Sequence, residues 1–264
     1  MLASCVSPAR PKLRADPATV CLGGQPQLGQ VIPTSGMIGS NQPMSVRSND
    51  RLPIDYHAQG AMTMKLAATM MLTVDGVYQG PGAPDEDRRG GFDRGGWVAP
   101  HFDEGTARFV TSVFERADAL LLGRRTWKIF EGYWPHHDEG DPVSHGINVL
   151  PKYVPSTTLT DPTWQNTHVI ESHVEAAVRE LKQKPGRELQ VHGSGELLRW
   201  LLERDLVDEL NLQLYPVVVG DGLRLFPEAG QTHDLTLVES RSTPSGVTIQ
   251  TYRPAGRATF GTVG

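Results

Sequence analysis

At two points in this chain a strand gives way to a helix through residues suited to holding an anion. Glu188-Leu189-Gln190-Val191-His192 alternates as a strand does, Gly193-Ser194-Gly195 turns, and Leu197, Leu198, Leu201 and Leu202 recur at helical spacing. A helix beginning at that turn presents unpaired backbone N–H groups and the positive end of its dipole, and glycine lets a bulky anion come close. A phosphate or pyrophosphate is the matching guest, with Glu196 in the first turn beside it; an ordinary tight connection is the competing reading. The third glycine of the dinucleotide fingerprint is missing, since Leu198 holds its place, and so is the lysine of a P-loop.

The second junction carries charge. Ala119-Leu120-Leu121-Leu122 reads as a short buried strand, Gly123-Arg124-Arg125-Thr126 follows, and Trp127-Lys128-Ile129-Phe130 continues as a helix. Guanidinium groups grip phosphate in a bidentate way; a solvated helix start is the alternative. Two anion-ready junctions in one domain suit a dinucleotide with several phosphate groups. NADPH, with its 2′-phosphate and pyrophosphate, would use the arginine pair, which NADH or FMN would not need. Arg224, after Gly220-Asp221-Gly222, meets a substrate phosphate or lies on the surface. Trp97 and Phe102 cap a substrate pocket or pin their loop. Ser194 invites a hydrolase reading, but a nucleophile elbow needs glycine where His192 stands, and His192 reads as a packed strand end. His136, His137 and Asp138 have no second cluster, so no metal site is expected.

The elements that position these junctions follow from pattern. Lys65 to Leu72 is a mostly apolar strand, closed by an Asp75-Gly76 turn and followed by a polar, glycine-rich loop to Trp97. A loop of that length is a lid or part of a binding site. Asp103-Glu104 opens a helix with Ala107, Val110, Phe114 and Ala117 on one face. Residues 132 to 150 read as another loop. Lys152 to Leu159 and Thr167 to Ile170 read as strands, and Val174, Ala177, Val178 and Leu181 as a helix. From Leu206 the chain turns β: a run through Leu210, Leu212 and Leu214 to Val219, then a closing hairpin around Pro244-Ser245-Gly246. The sum is α/β: a central, mostly parallel twisted sheet flanked by helices, with an antiparallel C-terminal hairpin.

Residues 1–61 are rich in Pro, Gly, Ser, Gln and Asn without apolar period, and read as a disordered extension. Met62 or Met64 is a candidate true start. Residues 62–256 form the folded body and 257–264 a loose tail. With 25 Lys and Arg against 30 Asp and Glu, the net charge of −5 gives no sign of a nucleic-acid binder. The 2 cysteines, Cys5 and Cys21, leave none in the body for a nucleophile or disulfide, which fits the cytoplasm. No apolar run spans a membrane and no secretory h-region opens the chain.

Taken in order, the Thr73-Val74-Asp75-Gly76 turn, Leu121-Leu122-Gly123-Arg124-Arg125-Thr126-Trp127, Lys152-Tyr153-Val154, Val191-His192-Gly193-Ser194-Gly195, and Val207-Asp208-Glu209-Leu210 through Pro216-Val217-Val218-Val219-Gly220 resemble one family. It is the dihydrofolate reductase-like family that includes the C-terminal reductase domain of the bifunctional riboflavin-biosynthesis deaminase-reductase. The resemblance spans about residues 64 to 254. It implies NADPH across the C-terminal edges of the sheet, with Gly123, Arg124, Arg125, Thr126, Ser156 and Thr157 on the 2′-phosphate side. Gly193, Ser194, Gly195 and Glu196 would hold the pyrophosphate. It implies hydride transfer to a small polar substrate, as in 5-amino-6-(5-phosphoribosylamino)uracil reductase. Asp75 would be the catalytic, substrate-side acid, with Trp97, Asp103 and Arg224 also near substrate. Neither Asp103 nor Glu104 aligns with the folate-binding carboxylate, because Ala107 falls nearest its place; another acceptor, or NADPH binding without turnover, is the alternative. The deaminase's zinc motif is absent, so a stand-alone reductase is expected. Relatives pair through their late strands, which implies a homodimer.

Overall fold

A computed structural model describes residues 62–137 and 140–264. The 1–61 segment with its expected disorder and both cysteines, and Asp138 of the histidine cluster, lie outside these residues. Among the described residues eight strands form one sheet in the order β4-β3-β2-β5-β1-β6-β8-β7. The strands are β1 (Lys65–Thr73), β2 (Ala117–Leu121), β3 (Lys152–Pro155), β4 (Thr167–Ile170), β5 (Glu188–His192), β6 (Glu209–Tyr215), β7 (Leu235–Ser242) and β8 (Thr248–Pro254). The first six run parallel where they pair, and β8 and β7 complete the sheet antiparallel. This is the mostly parallel sheet with a C-terminal hairpin that the pattern predicts.

Among the described residues five α-helices cover the sheet: α1 (Glu104–Arg116), α2 (Arg124–Glu131), α3 (Pro142–Val149), α4 (Val174–Gln183) and α5 (Gly195–Leu202). Strand alternation sends side chains into two cores. On one face Met71, Leu120 and Leu122 pack with Val113 and Phe114 of α1, Trp127 and Phe130 of α2, and Ile147 of α3. On the other, Leu66, Met70, Leu189 and Val191 pack with Leu181 of α4 and Leu198 and Leu201 of α5. Near-continuous burial of β1 and β5 follows from coverage on both faces.

Three expectations are corrected. Residues 132–150 are not a plain loop: a 3-10 turn, Trp134–His136, precedes α3. Pro142 stands in its first turn, and the Asp141 carboxylate accepts the Val143 and Ser144 N–H groups as a cap. The third strand ends at Pro155, because Ser156 Oγ accepts the Thr158 and Leu159 amides and turns the chain. The sixth ends at Tyr215, where Pro216 cannot extend the ladder.

Lys152 of the recognised triplet has a structural role. It is fully buried, donates to the carbonyls of Asn148, Leu150 and Gln165 at 2.8, 2.9 and 3.2 Å, and lies 4.4 Å from the Trp164 ring centroid. Burial draws its ammonium down to about 8, while three acceptors take its three donors. It ties the end of α3 to β3 and to the strand-leading loop.

Candidate functional site

β2 and β5 are parallel neighbours, yet α2 and α5, which follow them, pack on opposite faces of the sheet. Where consecutive connections diverge in this way a crevice opens beyond the carboxyl ends of the strands. Both anion-ready junctions open into that crevice. A cleft of about 260 Å³ is lined by Gly123, Arg124, Arg125 and Thr126 on one side and by Gly193, Ser194, Gly195 and Glu196 on the other.

The two turns are stitched together. The Gly123 N–H donates to Ser194 Oγ at 3.0 Å, Ser194 Oγ donates to the His192 carbonyl at 3.2 Å, and Thr126 Oγ1 donates to the Gly193 carbonyl at 3.3 Å. The serine hydroxyl is therefore taken up holding two helix starts side by side. Among the described residues its hydrogen bonds go to backbone groups and none to a basic side chain, and the hydrolase reading finds no support. The first helical hydrogen bonds are those of Trp127 N to Gly123 O and Leu198 N to Ser194 O. Neither helix has a side-chain cap. The N–H groups of Arg124, Arg125 and Thr126, and of Gly195, Glu196 and Leu197, thus precede both ladders. Six donors and two dipole ends face one cleft, which fits the pyrophosphate of a dinucleotide.

The glycines have different reasons. Gly193 takes a left-handed φ of 64°, which favours glycine. At Gly195 a Cβ would meet the Tyr78 ring at 2.5–2.8 Å, so it is close packing of Tyr78, rather than room for an anion, that excludes a side chain.

His192 ends β5 at the floor of the cleft. It is 4% exposed, lies against Phe114 and Phe130 with ring centroids 5.2 and 6.1 Å away, and its Nδ1 has no partner. Burial pushes its pKa down to about 4, so the ring is neutral at pH 7. A packed strand end describes it, with the addition that it borders the cleft.

The glycine-rich loop after β1 forms the remaining wall and contributes Tyr78, Glu86, Asp87 and Arg89. The sequence pattern reads this loop as a lid or part of a binding site and singles out none of these four residues. Burial raises the Glu86 carboxyl, against the Gly82 and Ala83 N–H groups it accepts. For Asp87 burial acts in the same sense, but hydrogen bonds from Arg89 outweigh it and hold the carboxyl below its ordinary range. That pairing in turn raises the Arg89 guanidinium.

Several candidates from the sequence stand outside the cleft lining. Asp75 accepts from Thr73 Oγ1 at 2.6 Å and from the Val219 and Gly220 amides at 3.2 and 2.9 Å. Burial opposes ionisation, but these donors hold its carboxyl below the usual range. Arg224 donates Nε to the Asp75 carbonyl at 2.9 Å, so the two pair with each other. Asp103 caps α1, accepting from the Thr106 and Ser245 amides at 2.9 Å each. Trp97 donates to the Gln79 carbonyl at 2.9 Å and packs edge-on against Tyr215, pinning its loop. The Ser156 hydroxyl is engaged in its own turn, and Thr157 is exposed beside it. Among the described residues no group of three or more His, Cys, Asp and Glu could hold a metal, and no helix is long and apolar enough to cross a membrane.

Comparison with known proteins agrees with this architecture. The chain is 27% identical over 191 residues to the uncharacterized protein YyaP of Bacillus subtilis (strain 168), covering 71% of this chain and 94% of that one. It is 25% identical over 162 residues to YwjB of the same organism, covering 60% and 85%. The crystal structure of a protein assigned to riboflavin biosynthesis from Shewanella sp. PV-4 superposes with a TM-score of 0.55 at 22% identity, over 72% of this chain and 99% of that one. The family described as the RibD C-terminal domain matches residues 64–249, a span that takes in both helix starts and the loop between β1 and α1. This chain belongs to the RibD C-terminal domain family.

Proposed function

We propose that the chain is an NADPH-dependent oxidoreductase whose folded unit, residues 62–256, transfers a hydride to a small polar acceptor. The observation that carries the reading is the pair of uncapped helix starts, α2 and α5, held side by side at the divergence of β2 and β5. NADPH supplies the hydride; the protein's part is to bind, orient and exclude water. The N–H groups at the two helix starts hold the pyrophosphate, and Arg124 and Arg125 reach the 2′-phosphate. The neutral ring of His192 and the Phe130 side chain close the floor against water. Asp75 and Arg224 shape the adjoining turn by pairing with each other, and no proton transfer is assigned to them. The acceptor we favour is of the 5-amino-6-(5-phosphoribosylamino)uracil type, from family membership; another acceptor on the same scaffold is the alternative.

The reading is tested by melting the purified chain with NADPH, NADH, FMN and no ligand, and by following loss of the reduced nicotinamide with pyrimidine, pterin and carbonyl acceptors. Stabilisation by NADPH above NADH, with turnover of one acceptor class, is expected. No shift with NADPH, or a shift with FMN alone, overturns it. NADPH binding without turnover of any acceptor favours a nucleotide-binding protein instead.

We further propose a cytoplasmic homodimer joined through β7. This edge strand leaves seven of its eight residues exposed, with Leu237 and Val238 about half accessible. Sedimentation is expected to give twice the chain mass of 28.9 kDa; a monomer at micromolar concentration counts against it.

A further inference from the structure

Arg89 stands on the cleft rim, on the loop between β1 and α1, with its side chain 29% exposed. On its own side it grips Asp87, Nε lying 3.0 Å from each carboxylate oxygen and Nη2 2.7 Å from Oδ2. Across the cleft its Nη1 donates to Glu196 Oε1 at 2.9 Å. The backbone beneath is fixed, because Gln79 Nε2 donates to the carbonyls of both Asp87 and Arg89.

The two partners differ in kind. Asp87 is 7% exposed and held by several bonds. Glu196 is 63% exposed and gives a single contact, a solvent-screened pair of small net value and easily replaced. Glu196 is also the second residue of α5, so a carboxylate of the chain itself stands beside the free N–H groups where an anionic guest is favoured. The pyrophosphate bridge of a dinucleotide, taken whole, offers the guanidinium more charge and more acceptors than that carboxylate does. The buried His192, its Nδ1 unpartnered, borders the same cleft.

We propose that Arg89 is an exchangeable phosphate ligand. Glu196 holds its guanidinium over the start of α5, and the pyrophosphate of the bound dinucleotide displaces Glu196 and takes Arg89 for itself. Glu196 is then a built-in competitor that weakens binding and hastens release. This rests on the reading of the cleft given above.

The test is a double-mutant cycle of Arg89→Ala and Glu196→Gln, titrated calorimetrically with NADPH and with inorganic pyrophosphate, with melting temperatures as a folding control. Arg89→Ala is expected to raise Kd about tenfold or more, the scale of one charge-assisted contact. Glu196→Gln is expected to lower Kd about threefold, and that gain is expected to vanish in the Arg89→Ala background because the two residues act as one unit. Should alanine unfold the loop, Arg89→Gln replaces it in the cycle. An equal effect of Glu196→Gln in both backgrounds overturns the inference and leaves the NADPH reading standing. The coupled pattern with pyrophosphate but no NADPH binding supports the inference and overturns the coenzyme reading. Binding of neither ligand overturns both.

Discussion

Replacing Arg124 and Arg125 together by alanine is expected to weaken NADPH binding about a hundredfold while changing NADH by less than about threefold. The argument is one of geometry and charge. Both side chains are exposed at the first turn of α2 and border the cleft. Arg124 has no partner among the described residues. Arg125 has one, Asp87, at 3.9 Å, and that carboxylate keeps Arg89 when Arg125 is gone. The double change therefore strands no buried charge and is expected to leave the melting temperature of the free chain nearly unchanged. On the proposed reading it removes two guanidinium forks that line the cleft and would bind the coenzyme's extra phosphate. The pyrophosphate keeps its backbone N–H donors, so NADH, which lacks the 2′-phosphate, senses little. Titration of both coenzymes against the wild type and the variant measures the split. Equal losses for the two would remove the arginines from the 2′-phosphate side.

The second large expectation concerns acid. His192 has a folded-state pKa of about 4 against an ordinary value of 6.5, because burial disfavours its charged form. Between those values the unfolded chain binds a proton that the folded chain refuses. Stability from this group is therefore fully present above the unfolded value and is lost as pH falls towards the folded one. Integrated from about pH 7.5 to about pH 5, the loss is about 2 kcal/mol. Urea unfolding of the wild type and of His192→Leu at both pH values isolates it. The variant is expected to lose about 2 kcal/mol less than the wild type over the same range. Equal losses would mean that the ring titrates normally and is not sealed by Phe114 and Phe130.

Much of the fold was legible because it is written in short-range pattern. The apolar run of β1, the helical leucines of α5 and the Pro244-Ser245-Gly246 hairpin each carry their own period or turn chemistry. Helix α3 was not legible, since Ser144, His145 and Gly146 are poor helix formers and only Val143 and Ile147 mark a face; Asp141 and Pro142 were the available start signals. In the cleft, both junctions could be read locally. The use of Ser194 could not, because its partner is the amide of a residue 71 positions earlier. The same holds for Asp103, whose carboxylate meets Ser245 from the distant hairpin. Arg89 was hidden for another reason: among Arg88, Arg89 and Arg94 of the glycine-rich loop no spacing singles it out, and its partner on α5 lies 107 positions away.

The place of β5 in the sheet bears on how the chain acquires its shape. β1 and β2, although made first, do not touch; β5 wedges between them and hydrogen-bonds to both. In a nascent chain that has not yet reached Glu188, β1 and the β2–β3–β4 block have no strand to pair them into one sheet. Their union waits for a segment more than a hundred residues downstream of β1, a long-range closure of the kind that slows folding. The strand that joins the two blocks also ends in His192 at the floor of the cleft, so the ribosome must deliver that part of the pocket before the sheet can become one body.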